Sequence, residues 1–167
     1  NSLCLILENI NFARLVNLFD TMSIKSLICK SIDVSRDSGV PLLLLGNPGI
    51  AKTTNVKFWA ENNDYNIVTL IGSQRTPDEV LGYMVNDGTR LVTYTPDWYN
   101  QIIDSDKPTI LFIDELSQAT ELTQGALLQL IFERRVGGNH KLPDDTLIIS
   151  AANYSGNVPD YCTIQSA

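Results

Sequence analysis

The spacing of apolar positions changes several times along the chain, and each change predicts an element. Ile24, Leu27, Ile28 and Ile32 recur at roughly 3.6-residue spacing, which predicts a helix with those four residues on one inward face. Ser23 stands at its start, and Ser38-Gly39 stops it. Residues 40–45 form a continuous apolar run ending at Gly46, the pattern of a strand covered on both faces. A helix is predicted over Lys52–Asn62, a strand rich in β-branched residues over 65–71, and a short helix over 76–82. Tyr83-Met84-Val85 and Leu91–Tyr94 flank Asn86-Asp87-Gly88, which reads as a hairpin with a tight turn. A helix over 96–103 leads to a third strand at 109–113, which ends in Asp114-Glu115. Residues 121–135 read as a helix with Leu127, Leu130 and Ile131 facing inward, and 136–142 as a small hairpin around its glycines. A fourth buried strand covers 147–150, and 154–167 reads as a polar loop. Strands alternating with helices predict an α/β fold around a mostly parallel sheet. Ligands of such sheets bind at the C-terminal strand ends, which is where Gly46 onward, Asp114-Glu115 and Asn153 fall.

Composition narrows the class. The chain has 167 residues, 44% of them apolar and 19% charged, which suits one globular domain rather than a disordered segment. Its net charge of −7 argues against a bulk basic surface for duplex nucleic acid, though not against a local groove. The purely aliphatic run Leu42–Leu45 is far short of the roughly 20 residues that span a bilayer. Glu8, Asn9 and Asn11 break up the apolar N-terminal stretch, and no basic segment precedes it, so no signal peptide is read there. Cys4, Cys29 and Cys162 form no CxxC pair and read as ordinary reduced thiols, which places the protein in the cytoplasm. The sole histidine, His140, makes a zinc centre an unsuitable reading. The first methionine is Met22; residues 1–22 are taken as an N-terminal extension or helix, whether upstream sequence or part of a longer protein.

The strongest chemical signal is Gly46-Asn47-Pro48-Gly49-Ile50-Ala51-Lys52-Thr53-Thr54, placed between a strand and a helix. Successive backbone N–H groups in such a loop cradle phosphate oxygens, and the helix N-terminus adds positive potential. Lys52 would reach the β- and γ-phosphates, and Thr53 would offer its hydroxyl to Mg²⁺. The usual pattern has glycine immediately before the lysine, where this chain has Ala51. A methyl group there is expected to require a negative φ and a Cβ turned away from the phosphates. The second signal is the apolar run ending in Asp114 and Glu115. Asp114 would hold Mg²⁺ through a water, and Glu115 would polarise the water that attacks the γ-phosphate. The third is Asn153, which would hydrogen-bond the γ-phosphate or that water. The Asn-Lys-x-Asp element that recognises guanine is missing, so ATP is the expected nucleotide.

Assembled, these segments resemble the AAA+ ATPases, and within them the MoxR-type branch, over residues 23–161. The resemblance rests on the 46–54 loop, in which alanine at the position of Ala51 is familiar. It rests also on Gln74-Arg75-Thr76-Pro77-Asp78-Glu79-Val80-Leu81-Gly82 leading into the Asn86-Asp87-Gly88 hairpin as a helix-2 insertion. Ile113–Ala119 with Ala126-Leu127-Leu128 and Glu133-Arg134-Arg135-Val136 looks like the Walker B region. Residues 137–142 look like the hairpin before the sensor strand, and Ser150-Ala151-Ala152-Asn153 like the sensor. The resemblance implies a three-layer P-loop NTPase, with a mostly parallel central sheet and helices on both faces. Residues 23–167 would be its nucleotide-binding core, stopping before a helical lid. ATP and Mg²⁺ are the implied cofactors, and Glu115, Lys52 and Asn153 the implied catalytic residues. A homo-oligomeric ring, often a hexamer, is the implied assembly, with protein partners such as a von Willebrand A-domain protein. The family's fifth core strand, arginine finger and second sensor have no counterpart in this sequence. Arg134 and Arg135 come too early for the finger and are expected to cap the C-terminal dipole of their helix or to face solvent. ATP-driven remodelling of proteins is therefore the leading expectation, with a nucleotide-gated scaffold of low turnover as an alternative. An ATPase fragment of a nucleic-acid motor ranks lowest, because the 83–94 hairpin carries only Arg90 against Asp87.

Overall fold

In the computed structural model, which describes residues 23–137, 139–155, 158 and 159, the chain opens with helix α1, Ile24–Ser38. Residues 1–22, with the extension expected there, lie outside the described residues, as do Cys4 and Cys162. The Ser23 hydroxyl accepts from the Ser26 N–H at the start of α1. Gly39, at φ 69, closes the other end by donating to Ser35 O. This left-handed turn is one that glycine enters without a Cβ penalty. Ile28 and Ile32 are buried as expected, but Ile24 is 52% exposed. It sits on the first turn, beyond the reach of the layer below.

Strand β1 is Leu42–Leu45, helix α2 Lys52–Asn62 and strand β2 Asn66–Ile71. The short helix α3, Pro77–Leu81, carries a complete capping box: the Thr76 hydroxyl accepts from the Glu79 N–H, and the Glu79 carboxylate accepts from the Thr76 N–H. Strands β3, Tyr83–Asn86, and β4, Leu91–Tyr94, form the expected hairpin. Helix α4 is Asp97–Ile103, β5 Thr109–Asp114 and α5 Glu121–Glu133. Helix α5 ends two residues earlier than its sequence suggests, because Arg134 turns left-handed at φ 52. Arg135–Val136 then starts a second hairpin as β6, paired with β7, His140–Lys141. Strand β8, Leu147–Ala152, runs two residues past its predicted end. The expected polar loop begins instead with a small antiparallel pair, β9, Tyr154–Ser155, and β10, Val158–Pro159. The remainder of that loop lies outside the described residues.

The central sheet has the order β1-β8-β5-β2, and every neighbouring pair is parallel. Alternate residues feed two separate cores. Leu111 and Ile113 of β5, with Val68 and Leu70 of β2, pack against α3, α4 and α5. Ile110 and Phe112, with Leu147 and Ile149 of β8, pack against α1 and α2. This is a three-layer α/β fold of the P-loop NTPase type. Fully burying a side chain such as Phe112 contributes about 1.5–3 kcal/mol. Strand β1 departs from its expected double cover: only Leu44 is buried, while Leu42, Leu43 and Leu45 are half-buried. Among the described residues β1 pairs with β8 alone, so its outer side has no neighbour. No described helix is long and apolar enough to cross a membrane.

Candidate nucleotide site

The loop between β1 and α2 starts at buried Gly46, whose N–H donates to Ala152 O at 3.3 Å and so ties the loop to the end of β8. A Cβ on Gly46 would meet the tip of the Ile50 side chain, which folds back over the loop at this point. Gly49 follows at φ 83. Ala51 then sits at φ 60 and ψ 32, in the left-handed region. The expectation of a negative φ is therefore overturned. The chain must turn left-handed to bring the first N–H groups of α2 toward the loop, and alanine accepts that conformation at a cost of roughly 1–2 kcal/mol. Asn47, Pro48, Gly49 and Thr54 are exposed, and Ile50 is half-buried.

Lys52, the first residue of α2, is only 8% exposed. Its ammonium donates to Gly46 O at 2.9 Å, Asn47 O at 3.2 Å and Asn153 Oδ1 at 2.8 Å. Burial lowers its pKa from the usual lysine value, and the nearby Asp114 carboxylate opposes that shift. All three acceptors are neutral, so the buried ammonium has no direct ion pair in the loop. That suits an arriving phosphate. The Thr53 hydroxyl donates to Asp114 Oδ2 at 2.7 Å, which joins the second residue of α2 to the tip of β5. Asp114 Oδ1 accepts from the Glu115 N–H at 2.9 Å.

Glu115 is left-handed, at φ 55, and opens a single turn over Leu116–Gln118. Its carboxylate accepts from the Ser73 hydroxyl, just past the end of β2. Asn153 follows β8, and its N–H donates to Ser117 Oγ at 3.4 Å. The ends of β1, β8, β5 and β2 thus converge on one patch that holds Lys52, Thr53, Asp114, Glu115 and Asn153. Ser73 and Ser117 are additions that the sequence did not single out. Gly72 belongs with them: a Cβ there would stand 3.1 Å from Glu115 O and 3.3 Å from Asp114 O, so glycine lets the two strand ends meet.

Of the two arginines expected at the end of α5, Arg135 is exposed to solvent as expected. Arg134 does occupy the cap position of α5, but its guanidinium donates to Pro143 O at 3.1 Å and Thr146 O at 2.7 Å. It fastens the turn before β8 instead of facing solvent, and burial lowers its pKa against the pull of Asp144 and Asp145. Arg135 lies in β6, beside Pro77, Leu81 and Met84.

Among the described residues, no cluster of three or more His, Cys, Asp or Glu is placed to hold a metal ion. Magnesium is commonly held by one or two protein oxygens, with phosphates and water supplying the rest. The adjacent Thr53 hydroxyl and Asp114 carboxylate are hard oxygen donors of that kind. The residues therefore fit a magnesium ion that arrives with a nucleotide.

A glycine-containing loop at the end of a parallel strand, with a buried lysine at a helix start and an acidic tip on a neighbouring strand, defines a nucleotide-binding α/β protein. The family model described as the AAA domain, dynein-related subfamily, matches residues 41–156. The chain belongs to that family, and so to the AAA+ ATPases, whose members bind ATP and typically assemble as rings. It is similar in structure to a candidate ATPase from Cytophaga hutchinsonii ATCC 33406, with a TM-score of 0.53 and 20% identity over 81% of this chain and 39% of that one. It is also similar to the Thermotoga maritima RuvB Holliday junction branch migration motor, with a TM-score of 0.46 and 19% identity over 77% of this chain and 37% of that one. At these identities the likeness concerns the fold. The chain spans about two fifths of the length of either structure. No protein of curated function matches the sequence.

Proposed function

We propose that this chain is an ATP-hydrolysing module of the MoxR type that couples turnover to the remodelling of protein partners. The observation that carries the reading is the convergence of Lys52, Thr53, Asp114, Glu115 and Asn153 on one end of the sheet. Lys52 and the 46–51 backbone would bind the phosphates. Thr53 and Asp114 would hold Mg²⁺, which when bound neutralises charge on the phosphate oxygens. Glu115 would orient the attacking water and accept its proton, and Asn153 would report the state of the γ-phosphate to β8.

The MoxR assignment draws on the two hairpins, one before α4 and one before β8. The β3–β4 hairpin exposes Tyr83, Met84, Leu91 and Tyr94 at 48%, 74%, 69% and 58%. Its Arg90 is engaged with Asp87. Tyr83 and Tyr94 stand on one side of the hairpin and Met84 and Leu91 on the other, and exposed apolar surface of this kind suits contact with protein rather than with a phosphate backbone. A ring with protein partners, a von Willebrand A-domain protein among them, follows from the same reading. The test is ATP turnover measured with added protein substrate and with added DNA. Stimulation by protein alone is expected; stimulation by DNA alone would assign the module to a nucleic-acid motor.

The Ser73–Glu115 contact favours a second reading, a nucleotide-gated scaffold with little hydrolysis, because it holds the glutamate away from a water-activating role. Ser73→Ala decides between the two. Measured at protein concentrations high enough for copies to meet, turnover that rises on releasing Glu115 supports an enzyme held in check, and turnover that stays at background supports the scaffold.

A further inference from the structure

Strand β2 forms one edge of the sheet and, among the described residues, pairs with β5 alone. The Asn66 N–H donates to Pro108 O at 2.9 Å, toward β5. Alternation along the strand then turns the backbone of Val68 and Leu70 the same way, and that of Ile67 and Thr69 outward. No turn, loop or neighbouring strand among the described residues takes up those outward groups. Exposed edges are normally blunted by proline, by lysine or by a bulge. The sequence of β2, Asn-Ile-Val-Thr-Leu-Ile, contains no proline or charge, and its register with β5 is unbroken.

Two cavities lie along this edge. One, of about 480 Å³, is lined by Thr69, Arg75, Asp97 and Trp98 among others. The other, of about 650 Å³, is lined by Asn66, Ile67, Asp104, Asp106 and Lys107 among others. Val68 and Gln101 line both, so the two form one groove between β2 and α4. The groove's charged side chains are Glu79, Asp97, Asp104 and Asp106 against Arg75 and Lys107. Lys107 is paired with Asp64, while Asp97, Asp104 and Asp106 have no ion pair among the described residues. The uncompensated charge of the groove is negative.

We propose that the free edge of β2 is a docking groove for an extended, basic segment of a partner protein, which adds to the sheet as a further strand. The main chain of Ile67 and Thr69 supplies the pairing, and the Asp104 and Asp106 end selects for lysine or arginine. The site lies outside the nucleotide patch, and its test reads binding without ATP.

Two capped probe peptides, Lys-Val-Lys-Val-Lys-Val and Glu-Val-Glu-Val-Glu-Val, are titrated into the isotope-labelled chain. The lysine peptide is expected to bind with a dissociation constant on the order of 100 µM and to slow amide exchange at Ile67 and Thr69. Asp104→Lys with Asp106→Lys, surface changes that leave the fold intact, should weaken it about tenfold or more, and raised salt should weaken it further. N-methylation of alternate peptide amides should abolish it. Equal binding of both peptides, binding without protection at Ile67 and Thr69, or no binding at millimolar peptide would each overturn the proposal. So would a concentration-dependent dimer protected at the same two amides, which would assign the edge to a second copy of this chain.

Discussion

Ala51 shows how a single methyl group tests the nucleotide loop. At φ 60 it occupies a conformation that alanine tolerates and a β-branched residue does not. Ala51→Gly should raise stability by about 0.5 kcal/mol, since relief of the strain exceeds the added flexibility of the unfolded chain. Ala51→Val should lower it by about 2 kcal/mol. Denaturant midpoints check the order, and a valine variant more stable than the glycine variant would contradict the left-handed turn. Lys52 carries the opposite kind of cost, a buried cation. Because its pKa is lowered on folding, the unfolded chain binds the proton more tightly, so the penalty is full below the folded value and fades as pH rises through the window up to the ordinary lysine value. Lys52→Met should therefore lose ATP affinity by calorimetry while the melting temperature without nucleotide falls little or rises. Lys52, Thr53, Asp114, Glu115 and Asn153 were legible in the sequence because each stands at a change of pattern, Lys52 and Thr53 where a loop opens a helix and the other three where an apolar strand ends. Ser73 and Ser117 were not, because their roles depend on which strand ends lie side by side, and local periodicity carries no sheet order. Glu115→Gln should keep nucleotide binding and lower turnover by roughly two orders of magnitude in a steady-state assay, the scale of a positioned base.

The hairpins carry a different lesson. Both were legible from their turn residues, but their contact with each other was not. Gly137, at φ 54, meets Thr93 of β4, where a Cβ would collide with Thr93 Cγ2 and stand 3.0 Å from its Cβ. The two hairpins are distant in sequence and touch only because α3, α5 and β6 bring them together. Gly137→Ala should cost about 2–3 kcal/mol, from the strained φ together with the clash. Thr93→Ala in the same chain should recover part of that loss, since it removes the atom struck. A melting series over the two single variants and the double variant measures the coupling, and strictly additive losses would show that the hairpins are independent. The end of α5 belongs to the same region. Its helical pattern runs on into Arg134 and Arg135, yet Arg134 is drawn away by the carbonyls of Pro143 and Thr146, and so the hairpin begins one residue later. Helical periodicity cannot foresee a stop imposed from outside the helix. The outer side of β1 makes a similar point: four leucines promise burial on both faces, but among the described residues β1 has a paired strand on one side alone.

The parallel sheet explains why one end of the protein holds all the polar chemistry. With every pair parallel, the C-terminal ends of four strands face the same way, and the two cores beneath them fix those ends in place. Besides Lys52, no cation among the described residues is bonded into that end to meet charge developing on a transferring phosphoryl group. The described arginines are committed elsewhere. Arg36 pairs with Asp33 and Asp37, and Arg90 with Asp87. Arg134 holds the turn before β8, Arg75 lines the groove beside β2, and Arg135 lies in β6. An arginine supplied by a neighbouring subunit can raise phosphoryl-transfer rates by about 10³ to 10⁵. Turnover per subunit is therefore expected to be very slow in dilute protein and to climb with protein concentration as copies meet. Nucleotide affinity should change little, because Lys52 and the 46–51 loop would bind without a neighbour. Steady-state turnover over a concentration series, set beside nucleotide binding over the same range, checks this. Fast hydrolysis that is flat with concentration would place the missing cation within the chain, and Arg75, Arg134 and Arg135 would then be the first to replace.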